Sequence, residues 1–203
     1  MKSNLIIIAF ILLCSSAFGQ MGNNTISLLF AEAHTITATK GTFPTTESGN
    51  NPFIITSGPH FGLSYNRRIH KGLSLEANYI FVSEKAQYTY SQGTDTHYVS
   101  NGSVNMLWLQ VLCKYTFYKY FFIDGGFSAD VQTNYQDAMQ MYEQSGVGLE
   151  AGFGAKITTG HITFFVNPYL HRHSIIIIKS SSETYWNHKL DETGIKLGIG
   201  YNF

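Results

Sequence analysis

The segment 196–203 at the carboxyl end constrains the fold more than any other part of this chain. It alternates polar or small residues with apolar and aromatic ones: Lys196, Gly198, Gly200 and Asn202 against Leu197, Ile199, Tyr201 and Phe203. A repeat of two residues is typical of a β-strand with one apolar face. An apolar face with aromatic residues at its end suits a strand that closes a transmembrane barrel. The alternative is the last strand of a soluble β-protein.

The amino-terminal residues predict export from the cytoplasm. Lys2 precedes the apolar run 5–14, which is too short to span a bilayer, and Ala17 and Gly19 fit the small-residue positions of a cleavage site. We therefore predict a signal peptide over residues 1–19.

The two cysteines add little chemistry to this prediction. Cys14 suggests a lipid anchor as an alternative, but the bulky Leu13 stands where a lipobox needs a small residue. Cleavage of a signal peptide would leave Cys113 alone, so an intramolecular disulfide is not expected. We expect Cys113 to face lipid as a small apolar residue.

The mature chain, 20–203, is predicted to form one domain, an outer-membrane β-barrel. The 13 basic and 13 acidic residues balance, and no basic run indicates nucleic-acid binding. No second long apolar segment indicates a helical membrane protein. Aromatic residues make up 15% of the chain, which suits strands that are apolar at every second position.

Alternation and turn-forming residues predict eight strands. They lie at about residues 25–37, 61–67, 73–82, 107–117, 121–131, 147–156, 162–174 and 190–203. Long polar connections, such as 84–103, alternate with short turns. This alternation is typical of an all-β, eight-stranded antiparallel up-and-down transmembrane β-barrel with long extracellular loops. A lipocalin-like soluble barrel would instead place its apolar side chains inward.

Charged residues share the face opposite the apolar one. On the predicted register this inner face carries Arg68, Glu76, Lys114, Asp124, Asp130, Glu150, Lys156 and Lys196. Because a Lys or Arg facing lipid costs roughly 2–4 kcal/mol at the midplane, we expect these groups to lie in the lumen. An eight-stranded lumen is narrow, so we predict a filled, ion-paired interior.

Taken together, these features resemble the small bacterial outer-membrane β-barrel proteins of the porin-like or OmpA-like class. The segment 61–79 is similar to their central hairpins, and Lys196, Gly198, Tyr201 and Phe203 fill the positions of their C-terminal insertion signal. The resemblance implies a location in the outer membrane of a Gram-negative cell. It also implies outer-membrane lipid and the barrel-assembly machinery as partners.

One strand carries the best candidate for chemistry. Tyr169, His171 and His173 share a strand face, and Asp191 or Glu192 could supply a third metal ligand to the two imidazoles. The alternative is that these are ordinary polar residues of the lumen or rim. We expect no metal and no cofactor.

The same strand suggests a second hypothesis, that the chain is a barrel enzyme that modifies lipid A. The lipid A deacylases resemble this chain in size and strand number, and their nucleophile and base form a His-x-Ser pair. Here His173 follows His171, and Ser174 adjoins His173, so the two point to opposite faces. We therefore expect no catalysis.

The remaining expectation is a structural or interaction protein that acts through its extracellular loops. Aromatic residues in the predicted loops could contact an extracellular protein or glycan: Tyr88, Tyr90, Tyr98, Tyr135, Tyr142, Tyr185 and Trp186. A lipid A-modifying enzyme and a narrow solute channel are the alternatives.

Overall fold

The computed structural model of the chain describes residues 24–38, 53–56, 58–92, 96–133, 145–177 and 190–203. The predicted signal peptide, the predicted connection 40–51 and all but the first residue of the predicted connection 133–144 lie outside this part. The strands are β1 (Asn24–Ala38), β2 (Phe53–Thr56), β3 (Pro59–His70), β4 (Leu73–Gln92), β5 (Thr96–Phe117), β6 (Phe121–Gln132), β7 (Gly146–Thr159), β8 (Ile162–Ile177) and β9 (Leu190–Asn202). Among the described residues, no helix has the length and hydropathy needed to cross a membrane.

Eight of these strands close into an antiparallel ring. β1 pairs with both β3 and β9, and β4 pairs with both β3 and β5, so β1 and β3–β9 form a continuous barrel. At the closing seam the backbone amides and carbonyls of Asn24 and Phe203 bond reciprocally, at 3.2 and 3.0 Å. The short strand β2 pairs with β4 beyond the end of β3. The prediction of an eight-stranded up-and-down barrel is confirmed.

Tight turns connect the strands at one end, which we call the short-turn end. Gly72 and Gly160 have φ angles of 78° and 58°, and Tyr118 and Lys119 have φ angles of 47° and 70°. Positive φ gives a hairpin turn the twist of its flanking strands, and glycine adopts it without steric cost. The opposite end carries the longer connections that the sequence predicts after β6 and β8, whereas only residues 93–95 join β4 to β5.

The side chains are arranged inside out relative to a soluble barrel. Large apolar residues of the outer surface are exposed, including Leu63 (52%), Val111 (54%) and Phe127 (65%). Charged residues such as Glu76 and Lys114 are instead buried in the interior. Cys113 is exposed on the outer face, as expected. This distribution is that of a barrel whose exterior meets lipid.

The predicted connection 84–103 is wrong. β4 continues to Gln92, and β5 begins at Thr96, so most of this segment is a two-stranded ladder paired from Lys85↔Ser103 to Gln92↔Thr96. We call this extension, residues 85–103, the β-arm. Its sequence is polar on both strand faces, so it lacks the alternation from which strands were predicted, although its Tyr, Thr and Val residues favour strands.

Candidate functional site

Inward-facing residues on β4 pass from polar to apolar and back to polar. Glu76 and Asn78 lie near the short-turn end, Ile80 and Val82 follow, and Glu84 lies above them; all five are buried. The same sequence of layers divides the whole interior. The lysine network consists of Glu76, Lys114, Asp124, Glu150 and Lys196. The tryptophan layer consists of Leu29, Ile80, Val82, Met106 and Trp108. The histidine cluster consists of His60, Glu84, Asp130, His171, His173 and Glu192.

Each ammonium group of the lysine network has a carboxylate partner. Lys114 forms an ion pair with Glu76 and lies 3.6 Å from Asp124, measured from Nζ to Oδ2. Lys196 forms an ion pair with Glu150. These five side chains come from β4, β5, β6, β7 and β9, so the network ties together strands on several sides of the barrel.

Amide side chains complete the network. Gln110 Nε2 donates to Glu150 Oε2 at 2.7 Å, and Asn167 Nδ2 donates to Asp124 Oδ2 at 2.8 Å. Asn78 Nδ2 donates to Glu76 Oε1 at 3.1 Å. The bonds to Glu76 and Glu150 satisfy carboxylate oxygens that the ammonium groups leave open, as buried ionic groups need, whereas Asp124 Oδ1 has no hydrogen-bond partner among the described residues.

Three of the eight predicted interior charges lie outside this network. Arg68 is exposed near the short-turn end. Lys156 is half-buried, and its Nζ donates to Thr116 Oγ1 at 2.9 Å. Asp130 is buried in the histidine cluster.

A cavity of about 960 Å³ opens at the short-turn end, and we call it the vestibule. Basic residues line its walls: Arg68, Lys71, Lys119 and Lys156. Its deepest lining reaches Glu76 and Lys114 but includes no residue of the tryptophan layer or the histidine cluster. The interior is therefore open at the short-turn end and filled by side chains at the level of the tryptophan layer.

The residues proposed for the insertion signal lie on both faces of β9. Tyr201 is exposed on the outer surface and stacks with the ring of His161. Lys196 is buried, and a Cβ at Gly198 would meet the ring of Phe165. Phe203 is half-buried at the closing seam.

His173 lies at the centre of the histidine cluster, between two carboxylates. Its Nδ1 is 2.8 Å from Asp130 Oδ2, and its Nε2 is 3.1 Å from Glu192 Oε1. On the other side of the cluster, His60 Nε2 is 3.6 Å from Glu84 Oε1. All five of these side chains are at most 1% exposed.

Aromatic rings form the floor of this cluster. The Trp108 ring lies 4.9 Å from the ring of His60, 4.5 Å from that of His171 and 5.0 Å from that of His173, between centroids. The hydroxyl of Tyr169 lies 3.5 Å from His60 Nδ1. The three imidazole rings therefore pack against the Trp108 ring on the side of the cluster that faces the tryptophan layer.

Several polar atoms of the cluster are unsatisfied. Within the described part of the chain, His60 Nε2, Glu84 Oε2, Asp130 Oδ1 and His171 Nδ1 are buried and have no hydrogen-bond partner. Such atoms are rare in folded proteins, because leaving one unpaired costs about 1–3 kcal/mol. In the lysine network and its amide partners, Asn78 Oδ1, Asp124 Oδ1 and Asn167 Oδ1 are unsatisfied as well.

The structure places only part of this cluster where the sequence suggests. Tyr169, His171 and His173 all point inward, and Glu192 reaches His173 as one of the two suggested third ligands. Asp191 instead forms a two-bond ion pair with Arg172, with both distances 2.7 Å.

His60 and Glu84 were missed by sequence reasoning. His60 lies one residue before the predicted second strand, and Glu84 opens the predicted loop 84–103. Alternation continued past those boundaries would place both inward. Their meeting with Glu192 depends on the pairing register, which a single sequence does not show.

The serine predicted to be unable to form a catalytic pair is not the one that meets a histidine. The side chain of Ser174 lies outside the described part, whereas Ser128 Oγ lies 2.9 Å from His171 Nε2. Asp130 Oδ2 is 3.8 Å from this same Nε2, and Nδ1 has no hydrogen-bond partner among the described residues. A nucleophile–base–acid triad needs the acid at the other ring nitrogen, so this geometry lacks its third member.

No protein-family model matches this chain, and no curated protein sequence matches it either. Among solved structures, the barrel is similar to the outer membrane protein OprG from Pseudomonas aeruginosa, with a TM-score of 0.57 and 14% identity over 91% of this chain and 98% of that chain. Ail of Yersinia pestis (TM-score 0.48, 13% identity) and the N-terminal β-barrel domain of Pseudomonas aeruginosa OprF (TM-score 0.45, 15% identity) also match, over 91% of this chain and 100% of each of theirs. The chain therefore has the fold of a small outer-membrane β-barrel, the fold seen in OprG.

Proposed function

We propose that this chain is an outer-membrane β-barrel protein with a structural or interaction role at its long-connection end. The observation that carries the proposal is the inverted distribution of side chains. Apolar residues such as Val111 and Phe127 are more than half exposed on the outside, while the charges of the lysine network are buried inside. In water this arrangement would expose the apolar belt, and in a bilayer lipid covers it.

The filled middle of the barrel favours this role over a solute channel. Trp108, Met106 and Val82 are at most 1% exposed, and they separate the vestibule from the histidine cluster. A solute that entered from the short-turn end would meet this layer before the far side.

The β-arm supports the interaction role. A bilayer is crossed by about 9–11 tilted strand residues, whereas β4 has 20 residues and β5 has 22. Beyond Glu84 the ladder continues for eight residues to Gln92, a length of roughly 25 Å at the usual rise per residue. The arm would therefore project from the membrane, where a protein or glycan could contact it.

Location and topology are tested first with the exported chain. We expect it to fractionate with the outer membrane and to run faster on a gel before boiling than after, because closed barrels resist unfolding by detergent. Val111→Lys should cost about 2–4 kcal/mol of unfolding free energy in vesicles, whereas Val111→Leu should be nearly neutral. Recovery as a soluble protein with the same gel mobility in both states would refute the proposal.

The β-arm is tested by replacing residues 87–101 with Asn-Gly. The shortened barrel should keep its heat-dependent mobility shift, because the eight-stranded ring is unchanged. Protease added to intact cells should cleave the parent in the arm and leave the shortened form uncut. Cleavage of the parent only after the cells are opened would place the arm on the wrong side of the membrane.

The proposal also includes the absence of catalysis. Ser128 and His171 are both 2% exposed, so an acyl chain in the outer leaflet does not reach their contact without opening the barrel. We expect no change in lipid A mass when the barrel is expressed. A mass change that disappears in Ser128→Ala would establish the enzyme alternative.

A further inference from the structure

We propose that the histidine cluster binds one divalent transition-metal ion, through His60 Nε2, His173 Nε2 and the carboxylates of Glu84 and Glu192. Ligand atoms of His60, Glu84 and Glu192 all lie within 4.8 Å of one another, and His173 Nε2 is 3.1 Å from Glu192 Oε1. Donor atoms around a tetrahedral zinc ion lie about 3.3 Å apart. Three of these donors already meet as one group, and the His173 side chain would have to shift toward His60 and Glu84 to join them on one ion.

The carboxylates of the cluster are suited to a cation. Glu84 and Glu192 are each 1% exposed, and their carboxylates lie close enough to interact with each other. Within the described residues, neither forms an ion pair with a lysine or an arginine. Two adjacent buried carboxylates are costly unless a positive charge is shared between them, which a divalent ion provides.

Both imidazoles are turned so that Nε2 faces these carboxylates. His173 Nδ1 contacts Asp130 Oδ2 at 2.8 Å, and His60 Nδ1 faces the hydroxyl of Tyr169 at 3.5 Å. A metal-bound histidine commonly donates its second ring N–H to a carboxylate or another oxygen, which fixes both the tautomer and the ring orientation. Asp130 and Tyr169 occupy those supporting positions here.

The unsatisfied atoms favour this set over the neighbouring group of Asp130, His171 and His173. In the neighbouring group His171 Nε2 already contacts Ser128, and His173 Nδ1 already contacts Asp130. In the proposed site His60 Nε2, His173 Nε2, Glu84 Oε2 and both carboxylate oxygens of Glu192 have no hydrogen-bond partner among the described residues, compared with Asp130 Oδ1 and His171 Nδ1 in the rest of the cluster.

Two nitrogen and two oxygen donors select the class of ion. Calcium and magnesium prefer sites made of oxygen alone, whereas imidazole with carboxylate suits zinc, manganese, iron and cobalt. The Trp108 ring, 4.9 Å from the His60 ring and 5.0 Å from the His173 ring, lies close enough to report on a bound paramagnetic ion.

The test uses the full barrel, folded in detergent and stripped of metal with a chelator. Trp186→Phe leaves Trp108 as the only tryptophan, and the titrant is Co²⁺. We expect saturable quenching of fluorescence at one ion per barrel, reversal by an excess of Zn²⁺ and a visible cobalt absorption band typical of mixed nitrogen and oxygen ligands. Absence of saturable quenching in the folded barrel would overturn the proposal.

Ligand variants locate the ion. Glu84→Gln and Glu192→Gln keep the side-chain shape and should weaken Co²⁺ binding at least 100-fold, while the exposed controls Glu32→Gln and His70→Gln should stay within twofold. Heat-dependent gel mobility identifies folded variants. If neither glutamine variant folds, X-ray absorption of the zinc-loaded parent decides, because the proposal requires two imidazoles on the ion. Binding that is unchanged in both variants, or a spectrum without imidazole, would refute the site.

Discussion

The lysine network and the histidine cluster both bury three carboxylates inside one barrel, yet they balance them differently. Glu76, Asp124 and Glu150 face two ammonium groups and several amide donors, so the network is nearly neutral by itself. Glu84, Asp130 and Glu192 face imidazoles only. The cations of the network are therefore supplied by lysines of the protein itself, whereas no lysine or arginine among the described residues forms an ion pair with the carboxylates of the cluster.

This difference indicates two uses of buried charge. Lysine and glutamate on neighbouring strands form fixed cross-links, because removing either partner leaves an uncompensated ion. Histidine with carboxylates forms a site whose charge balance depends on what it binds. Three substitutions test this contrast between the lysine network and the histidine cluster.

Removal of an ammonium group should have the largest effect. Lys114→Met leaves Glu76 and Asp124 buried without their cation, so we expect a loss of about 3–5 kcal/mol of unfolding free energy, measured by urea titration in vesicles. Lys119→Met, in the exposed turn, should leave stability unchanged within about 0.5 kcal/mol. A combined Lys114→Met, Glu76→Gln variant should recover part of the loss, and failure to recover any would show that packing, not charge, holds the network.

A substitution at a position between the lysine network and the histidine cluster should have an intermediate effect on unfolding free energy. Gly194 lies on β9 between Lys196 and Glu192, and a Cβ there would lie 2.7 Å from the ring of Tyr169. Because this ring is packed against Lys196 Nζ at 4.7 Å, we expect Gly194→Ala to cost about 1–3 kcal/mol by overpacking.

Gly125→Ala is the matched control for this change, since its Cβ would be in ordinary contact at 3.4 Å from Glu150 O. It should cost less than about 1 kcal/mol. Equal losses in the two variants would mean that strand glycines, rather than the position of Tyr169, account for the effect.

Replacing one glutamate of the histidine cluster by glutamine should have the smallest effect on unfolding free energy. The same replacement in the lysine network should have a larger effect. In the metal-stripped barrel, Glu192→Gln should change unfolding free energy by less than about 1 kcal/mol, because it also removes an uncompensated charge. Glu76→Gln in the lysine network should cost about 1.5–3 kcal/mol, since a charge-assisted bond to Lys114 is lost. If the two changes cost the same, the contrast between the clusters disappears.

Most of the barrel could be predicted from sequence because a bilayer imposes a strict pattern on the residues that cross it. Within the membrane each outward side chain must be apolar, so strands such as β5 to β7 show clear alternation. Beyond the membrane both faces of a strand meet water, and the pattern disappears. The β-arm was consequently predicted to be a loop.

The histidine cluster was hard to predict for the same reason. It lies near the long-connection end, where alternation fades, and two of its proposed ligands, His60 and Glu84, fell just outside predicted strands. The others were visible as inward residues of β8 and β9. Their meeting depends on which residues are paired across five strands of the ring, and nothing in one sequence specifies that register.

The tryptophan layer has a consequence for how the two halves of the lumen exchange with their surroundings. It separates the vestibule, which opens at the short-turn end, from the histidine cluster, so an ion that enters the vestibule meets this layer before it reaches the cluster. In the proposed orientation, the cluster would sample the cell exterior, and its occupancy would record the metal content of that medium. A chelator confined to the periplasm would leave this occupancy unchanged.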